Sequence, residues 1–153
     1  MKLLKYITSF LIINFGALAL GIILMENGPR TAWYINLDKA PWTPPGWVFG
    51  TAWTTIMLCY SIYMAYLYKQ YKTKKIILLF IAQFILNIIW NYVFFNQHFV
   101  NIGFIIILLL TFIIAVFTFS YKTQMGKKTV FILPYLIWLC IATSLNAYIV
   151  LNN

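Results

Sequence analysis

Acidic residues are nearly missing from this chain. Glu26 and Asp38 are the two among 153 positions, and 8% of the residues are charged, against about a quarter in an ordinary soluble domain. That leaves little from which to build a general acid and base pair or a carboxylate metal site. The one histidine, His98, has no Cys, Asp or Glu near it in the sequence, and a metal or haem-ligand role for it is not expected. The two cysteines, Cys59 and Cys140, fall inside separate apolar runs, where a thiol behaves as a small apolar group. Neither a disulfide framework nor a metal site is expected. The apolar runs carry no Asp, Glu, Lys, Arg or His away from their ends, so they lack the buried charges of an ion pathway, and an ion pump is not expected.

What is abundant is apolar. Hydrophobic residues make up 63% of the chain and aromatics 20%, with a mean hydropathy of +0.87. A helix of roughly 20 apolar residues crosses about 30 Å of hydrocarbon. Five such segments, near 4–25, 46–68, 76–95, 101–121 and 129–151, read as transmembrane helices. The expected fold is an all-α, multi-pass membrane protein: one domain over 1–153, a five-transmembrane-helix bundle without internal repeat or linker. The first run also has features of a signal peptide, with Lys2 and Lys5 ahead of it and Ala17-Leu18-Ala19 inside it. Its length and the shared face of Asn14, Ala17 and Gly21 favour an uncleaved span suited to close packing.

The net charge of +9 is distributed by loop. Lys2 and Lys5, then Lys69, Lys72, Lys74 and Lys75, then Lys122, Lys127 and Lys128 fall on one side, nine of the eleven basic residues. Arg30 and Lys39 fall on the other, offset by Glu26 and Asp38. This is the positive-inside pattern, which puts the N-terminus in the cytoplasm and the first loop and C-terminus on the opposite side. It accounts for the charge without nucleic acid.

Three connections are short, making sequential helices antiparallel neighbours. The first, Glu26 to Pro45, is long. Trp33, Tyr34, Leu37 and Trp42 can bury area there, and Pro41, Pro44 and Pro45 restrict the backbone. An ordered loop covering the outer end of the bundle is expected; the alternative is a belt of interfacial tryptophans that only anchors the helix ends. Helical periodicity then gives three faces: Phe49, Trp53, Met57, Tyr60 and Met64; Gln83, Asn87, Trp90 and Phe94, with Asn91 at the edge; and Tyr135, Trp138, Ala142 and Asn146. The fourth run is nearly unbroken Ile, Leu and Phe, expected to face lipid or to serve structure. Amides in hydrocarbon need partners, so Asn14, Gln83, Asn87 and Asn146 should point inward. They either hold the helices together or line a pocket walled by Trp53, Trp90 and Trp138.

The segment Trp33-Tyr34-Ile35-Asn36-Leu37-Asp38-Lys39-Ala40-Pro41-Trp42-Thr43-Pro44-Pro45, followed by Phe49 and Trp53, resembles the TspO/MBR family of tryptophan-rich sensory proteins, which includes the mitochondrial translocator protein or peripheral-type benzodiazepine receptor. Gln83-Phe84-Ile85-Leu86-Asn87-Ile88-Ile89-Trp90 resembles the family's third helix. Leu133-Pro134-Tyr135-Leu136-Ile137-Trp138 and Ala142-Thr143-Ser144-Leu145-Asn146 resemble its fifth. The resemblance implies a five-helix bundle, often a homodimer, that binds a porphyrin such as protoporphyrin IX, or another hydrophobic small molecule, in a cavity beneath the first loop. The ligand-binding residues it implies are Tyr34, Pro44, Phe49, Trp53, Asn87, Trp90, Trp138 and Ala142, six of which already lie on the three faces.

It implies a receptor of tetrapyrrole metabolism with no obligatory cofactor, linked to porphyrin sequestration, transport or light-dependent degradation. In the last case Trp53 and Trp138 would be the catalytic, photo-oxidised residues. Tryptophan faces would stack on the macrocycle while Arg30 or Lys39 met its propionates. A transporter finds no support in inverted repeats or broken helices. Sterol is not an expected partner, because Tyr148 is followed by Ile149, Val150, Leu151, Asn152 and Asn153 without a basic residue. Membrane lipid is.

Overall fold

The computed structural model describes residues 2–153; Met1, the first residue of the expected domain, lies outside the described residues. Among the described residues there is no strand, and five helices are long and apolar enough to cross a membrane. They are α1 (Lys2–Leu24), α2 (Gly46–Gln70), α3 (Lys74–Asn91), α4 (Val100–Ser120) and α5 (Leu133–Asn152). The expected five-helix bundle is the observed fold. One boundary differs. The fifth helix starts at Leu133 rather than 129, because Gly126 turns at φ +52° and Gly126–Phe131 winds as a tighter 3-10 segment. Pro134 then opens α5, where its missing N–H costs no helical hydrogen bond.

The helices form a ring in the order α1, α2, α5, α4, α3 and back to α1, so α2 and α3 are not the neighbours that their short connection led one to expect: α1 stands between them. α1 buries Phe10, Asn14, Ala17 and Gly21, the face expected from its small residues. Asn14 Nδ2 donates to Ser61 Oγ of α2 at 2.8 Å. Gly21 allows α3 close, since a Cβ there would come within 2.7 Å of Asn91 Nδ2. α4 serves structure on one face, burying Gly103, Ile106, Ile107, Leu110, Ile114 and Phe117 against its neighbours, with Thr111 and Thr143 of α5 sharing a hydrogen bond at 2.9 Å. Its other face exposes Ile105, Leu109 and Phe112. It is apolar all round because one side meets protein and the other hydrocarbon.

The loop between α1 and α2 is ordered and tied to the bundle at both ends. It carries a 3-10 turn at Gly28–Arg30 and a short helix at Ala32–Asn36, capped by the Thr31 hydroxyl. Lys39 Nζ donates to the carbonyls of Tyr34, Ile35 and Leu37 at 2.9, 2.8 and 3.0 Å. The Asn153 side chain pairs with both backbone groups of Asp38, accepting from its N–H at 2.8 Å and donating to its carbonyl at 3.1 Å. Trp42 Nε1 donates to Ser144 Oγ at 3.1 Å, and its ring meets Tyr148 edge-on at 5.6 Å. At the other end of the loop Trp33 stacks on His98, with ring centroids 4.0 Å apart. An anchoring belt alone does not describe tryptophans held this way.

Candidate functional site

The outer half of the site is built where α3 ends. Residues Tyr92–Asn96 continue it as a wider π turn, with Gln97 N donating to Tyr92 O at 3.0 Å. An ordinary α-helix turns successive side chains about 100° apart, but here Phe94 and Phe95 are both buried. Trp90 stacks on Phe94 at 5.4 Å and meets Phe95 edge-on at 5.5 Å. Tyr34 comes down from the loop onto Phe95 at 5.3 Å and Phe94 at 6.4 Å. Burial there pushes the Tyr34 phenol above its usual pKa, so it stays neutral.

The inner half centres on Tyr135 of α5. Its hydroxyl oxygen accepts from Gln83 Nε2 at 2.8 Å and from Asn87 Nδ2 at 3.3 Å, both on α3. Its ring meets Trp53 at 6.0 Å and Tyr60 at 5.2 Å, both on α2. One turn along α5, Trp138 packs edge-on against Phe49 at 5.3 Å. Ala142 and Asn146 follow on the same buried face. Five expected residues, Phe49, Trp53, Asn87, Trp138 and Ala142, thus lie on the inward sides of α2, α3 and α5. Trp90 and Tyr34 form a second group joined through Phe94 and Phe95. Pro44 lies half-buried at the end of the loop, two residues before α2.

Several buried polar atoms in and below this region have no hydrogen-bond partner within the fold: Trp90 Nε1, Trp138 Nε1, Gln83 Oε1, Asn146 Oδ1 and the Tyr60 hydroxyl. Such groups are costly in a low-dielectric interior. They are free to meet the donors and acceptors of a bound molecule. At the rim, Lys39 is not available for an anion as expected, because its three N–H bonds are occupied by loop carbonyls. Arg30 is exposed at the end of the 3-10 turn.

Two concavities open outside this cluster. One, of about 310 Å³, is a side groove between α2 and α5 that reaches a single expected residue, Trp138. The other, of about 610 Å³, lies at the outer end beside Trp33, His98 and Asn153 and holds none of the eight. Tyr135 is not among the eight implied site residues, although it lies one turn before Trp138 on the same face. Phe95 gave no signal, because only the π turn brings it inside.

The chain matches the family model described as TspO/MBR over residues 9–151. It is 31% identical to a tryptophan-rich protein TspO of Archaeoglobus fulgidus, covering 100% of this chain and 99% of that one. It is 29% identical to a tryptophan-rich sensory protein of Cereibacter sphaeroides, covering 74% and 72%, and 29% identical to the translocator protein of Homo sapiens, covering 78% and 74%. With five apolar helices and a match along nearly its whole length, this chain is an integral, multi-pass membrane protein that belongs to the TspO/MBR family.

Proposed function

We propose that this protein is a membrane receptor for tetrapyrroles, holding a porphyrin such as protoporphyrin IX against Trp53, Trp90 and Trp138 beneath the first loop. Tyr34, Pro44, Phe49, Asn87 and Ala142 complete the binding surface. The observation that carries this reading is the cluster of aromatic rings around Tyr135 and Phe94, roofed by a loop pinned at both ends. Flat apolar faces suit a macrocycle, and unpartnered indole N–H groups at Trp90 and Trp138 can donate to its polar substituents. Arg30 replaces Lys39 as the cation for a propionate.

The sensory and translocator names belong to the relatives. The loop is assigned to the non-cytoplasmic side, because nine of eleven basic residues sit at the other end of the bundle. A second reading is light-dependent porphyrin breakdown. It is favoured by the ring contact of Trp53 with Tyr135, which sets oxidisable side chains together at the proposed ligand surface.

The test is absorbance titration of purified protein with protoporphyrin IX, in darkness and under fixed illumination. Saturable dark binding supports the receptor. Non-saturable partitioning identical to protein-free micelles overturns it, and light-driven loss of the macrocycle dependent on the protein adds the second reading.

A further inference from the structure

The loop is held over the outer end of the bundle by several ties. They include the two Asn153 to Asp38 bonds, the Trp42 to Ser144 bond and the Trp33 to His98 stack. The side of the bundle is different. Between α2 and α5, the seam that closes the ring, lies the groove of about 310 Å³ running from Trp47 to Ile56, about 14 Å along the helix at 1.5 Å per residue. Both walls belong to membrane-spanning helices, so the medium outside the groove is hydrocarbon. Its only side-chain hydroxyls, on Thr51 and Thr55, donate to the carbonyls of Trp47 and Thr51 in their own helix at 3.0 and 2.9 Å. The groove is therefore dry and chemically matched to an apolar occupant.

Trp138 is common to the groove and the aromatic cluster. It lines the groove, and its ring meets Phe49 of the cluster edge-on at 5.3 Å. It is 7% exposed, and its indole N–H has no acceptor in the fold. No hydrogen bond holds this ring in place, and its donor remains to be satisfied by whatever enters.

We propose that the α2/α5 groove is the entrance by which a planar hydrophobic ligand dissolved in the bilayer reaches the aromatic cluster, with Trp138 as the gate. The inference rests on the receptor reading above. The ligand lies parallel to the helices, presents an edge one ring thick to the groove beside Thr51, Thr55 and Ile137, and passes as Trp138 swings and its N–H finds an acceptor on the incoming molecule. The loop then acts as a fixed roof rather than a door.

The test measures binding kinetics of protoporphyrin IX to protein in lipid nanodiscs by stopped-flow fluorescence. Thr51→Phe with Thr55→Phe fills the groove from an exposed, lipid-facing position, and neither residue belongs to the proposed binding surface. Thr54→Phe, exposed on the same helix but outside the groove, is the control. The double variant is expected to slow association and dissociation together by about tenfold, a change in barrier of about 1.4 kcal/mol with the dissociation constant retained. Thr54→Phe should match wild type, and Thr51→Ala with Thr55→Ala should associate at least as fast. Retained affinity and helical circular dichroism show that the filled variant is folded. Wild-type rates in the filled variant, or equal slowing by Thr54→Phe, overturn the entrance alone. Absence of saturable binding to wild type overturns both the receptor reading and the route.

Discussion

Removing one oxygen atom from Tyr135 tests the polar centre of the bundle. In Tyr135→Phe the ring keeps its packing on Tyr60 at 5.2 Å and Trp53 at 6.0 Å, so little apolar contact is lost. What goes is the acceptor for Gln83 Nε2 at 2.8 Å and Asn87 Nδ2 at 3.3 Å. The shorter bond dominates, because a 3.3 Å contact is at the weak end of the range. Gln83 is 1% exposed and its Oε1 already lacks a partner, so its whole amide is stranded. Stranding one buried amide costs about 1–3 kcal/mol. Interhelical bonds in membrane proteins average about 0.6 and reach about 1.7 kcal/mol, since the unfolded helices also find partners in the membrane. The expected loss is therefore about 1–2 kcal/mol, read by equilibrium unfolding with SDS in mixed micelles. Gln83→Leu in the Tyr135→Phe background removes the stranded amide and should recover about half or more of that loss. Stability within about 0.5 kcal/mol of wild type for Tyr135→Phe, or no recovery in the double variant, would refute the account of Tyr135 as a shared acceptor.

Other outcomes follow from the same geometry. Gly103→Ala should lower stability by about 1–3 kcal/mol through overpacking, since its Cβ would meet Phe94 Cδ2 at 3.0 Å and Cβ at 3.2 Å; an unchanged melting temperature counts against tight packing at the π turn. Changing Pro44 and Pro45 together to Gly should weaken porphyrin binding while leaving the far-UV helical signal intact, because the loosened loop must be ordered again on binding; unchanged affinity would leave the loop no part in the site. In a background lacking Cys59 and Cys140, cysteines at Lys72 and Lys127 should be shielded from an impermeant maleimide in intact cells while one at Asn36 reacts, and the reverse pattern inverts the topology. Trp53→Phe and Trp138→Phe should keep much of the dark affinity, since an aromatic face remains, but slow macrocycle loss under light; equal photolysis at matched occupancy in the double variant removes the photochemical reading.

Much of this architecture was legible because hydrophobic length and helical period are local properties of the chain. The five spans, the inward face of Asn14, Ala17 and Gly21, and the separate faces that carry Phe49 with Trp53, Asn87 with Trp90, and Trp138 with Ala142 follow from spacing; that the three faces make one site is what the family resemblance implies. Where the reading fell short, the cause was a departure from the ideal helix or a tertiary bond. Phe95 is inside because five residues wind as a π turn, which no 3.6-residue period anticipates. Lys39 looked like a rim cation because its charge is visible in sequence, while the three carbonyls it binds exist only once Ala32–Asn36 has formed. The start of α5 was placed four residues early, because a 3-10 turn of apolar and basic residues reads like helix until Gly126 and Pro134 are weighed.

The order of helices around the ring bears on how the protein is made. α1 packs on α2 and α3, and α3 packs on α4, so four spans can find their partners as they leave the ribosome. α2 and α5 are neighbours in space but separated by two intervening helices in the chain. Until α5 is inserted, Phe49 and Trp53 face open lipid, and the loop lacks Ser144, Tyr148 and Asn153, to which it is tied. The second tie of the roof and the inner half of the site therefore appear in one late step of biogenesis. A nascent chain stalled before α5 would hold four docked spans under a loop tied only through Trp33 and Tyr34, open to proteolysis between Asp38 and Pro45.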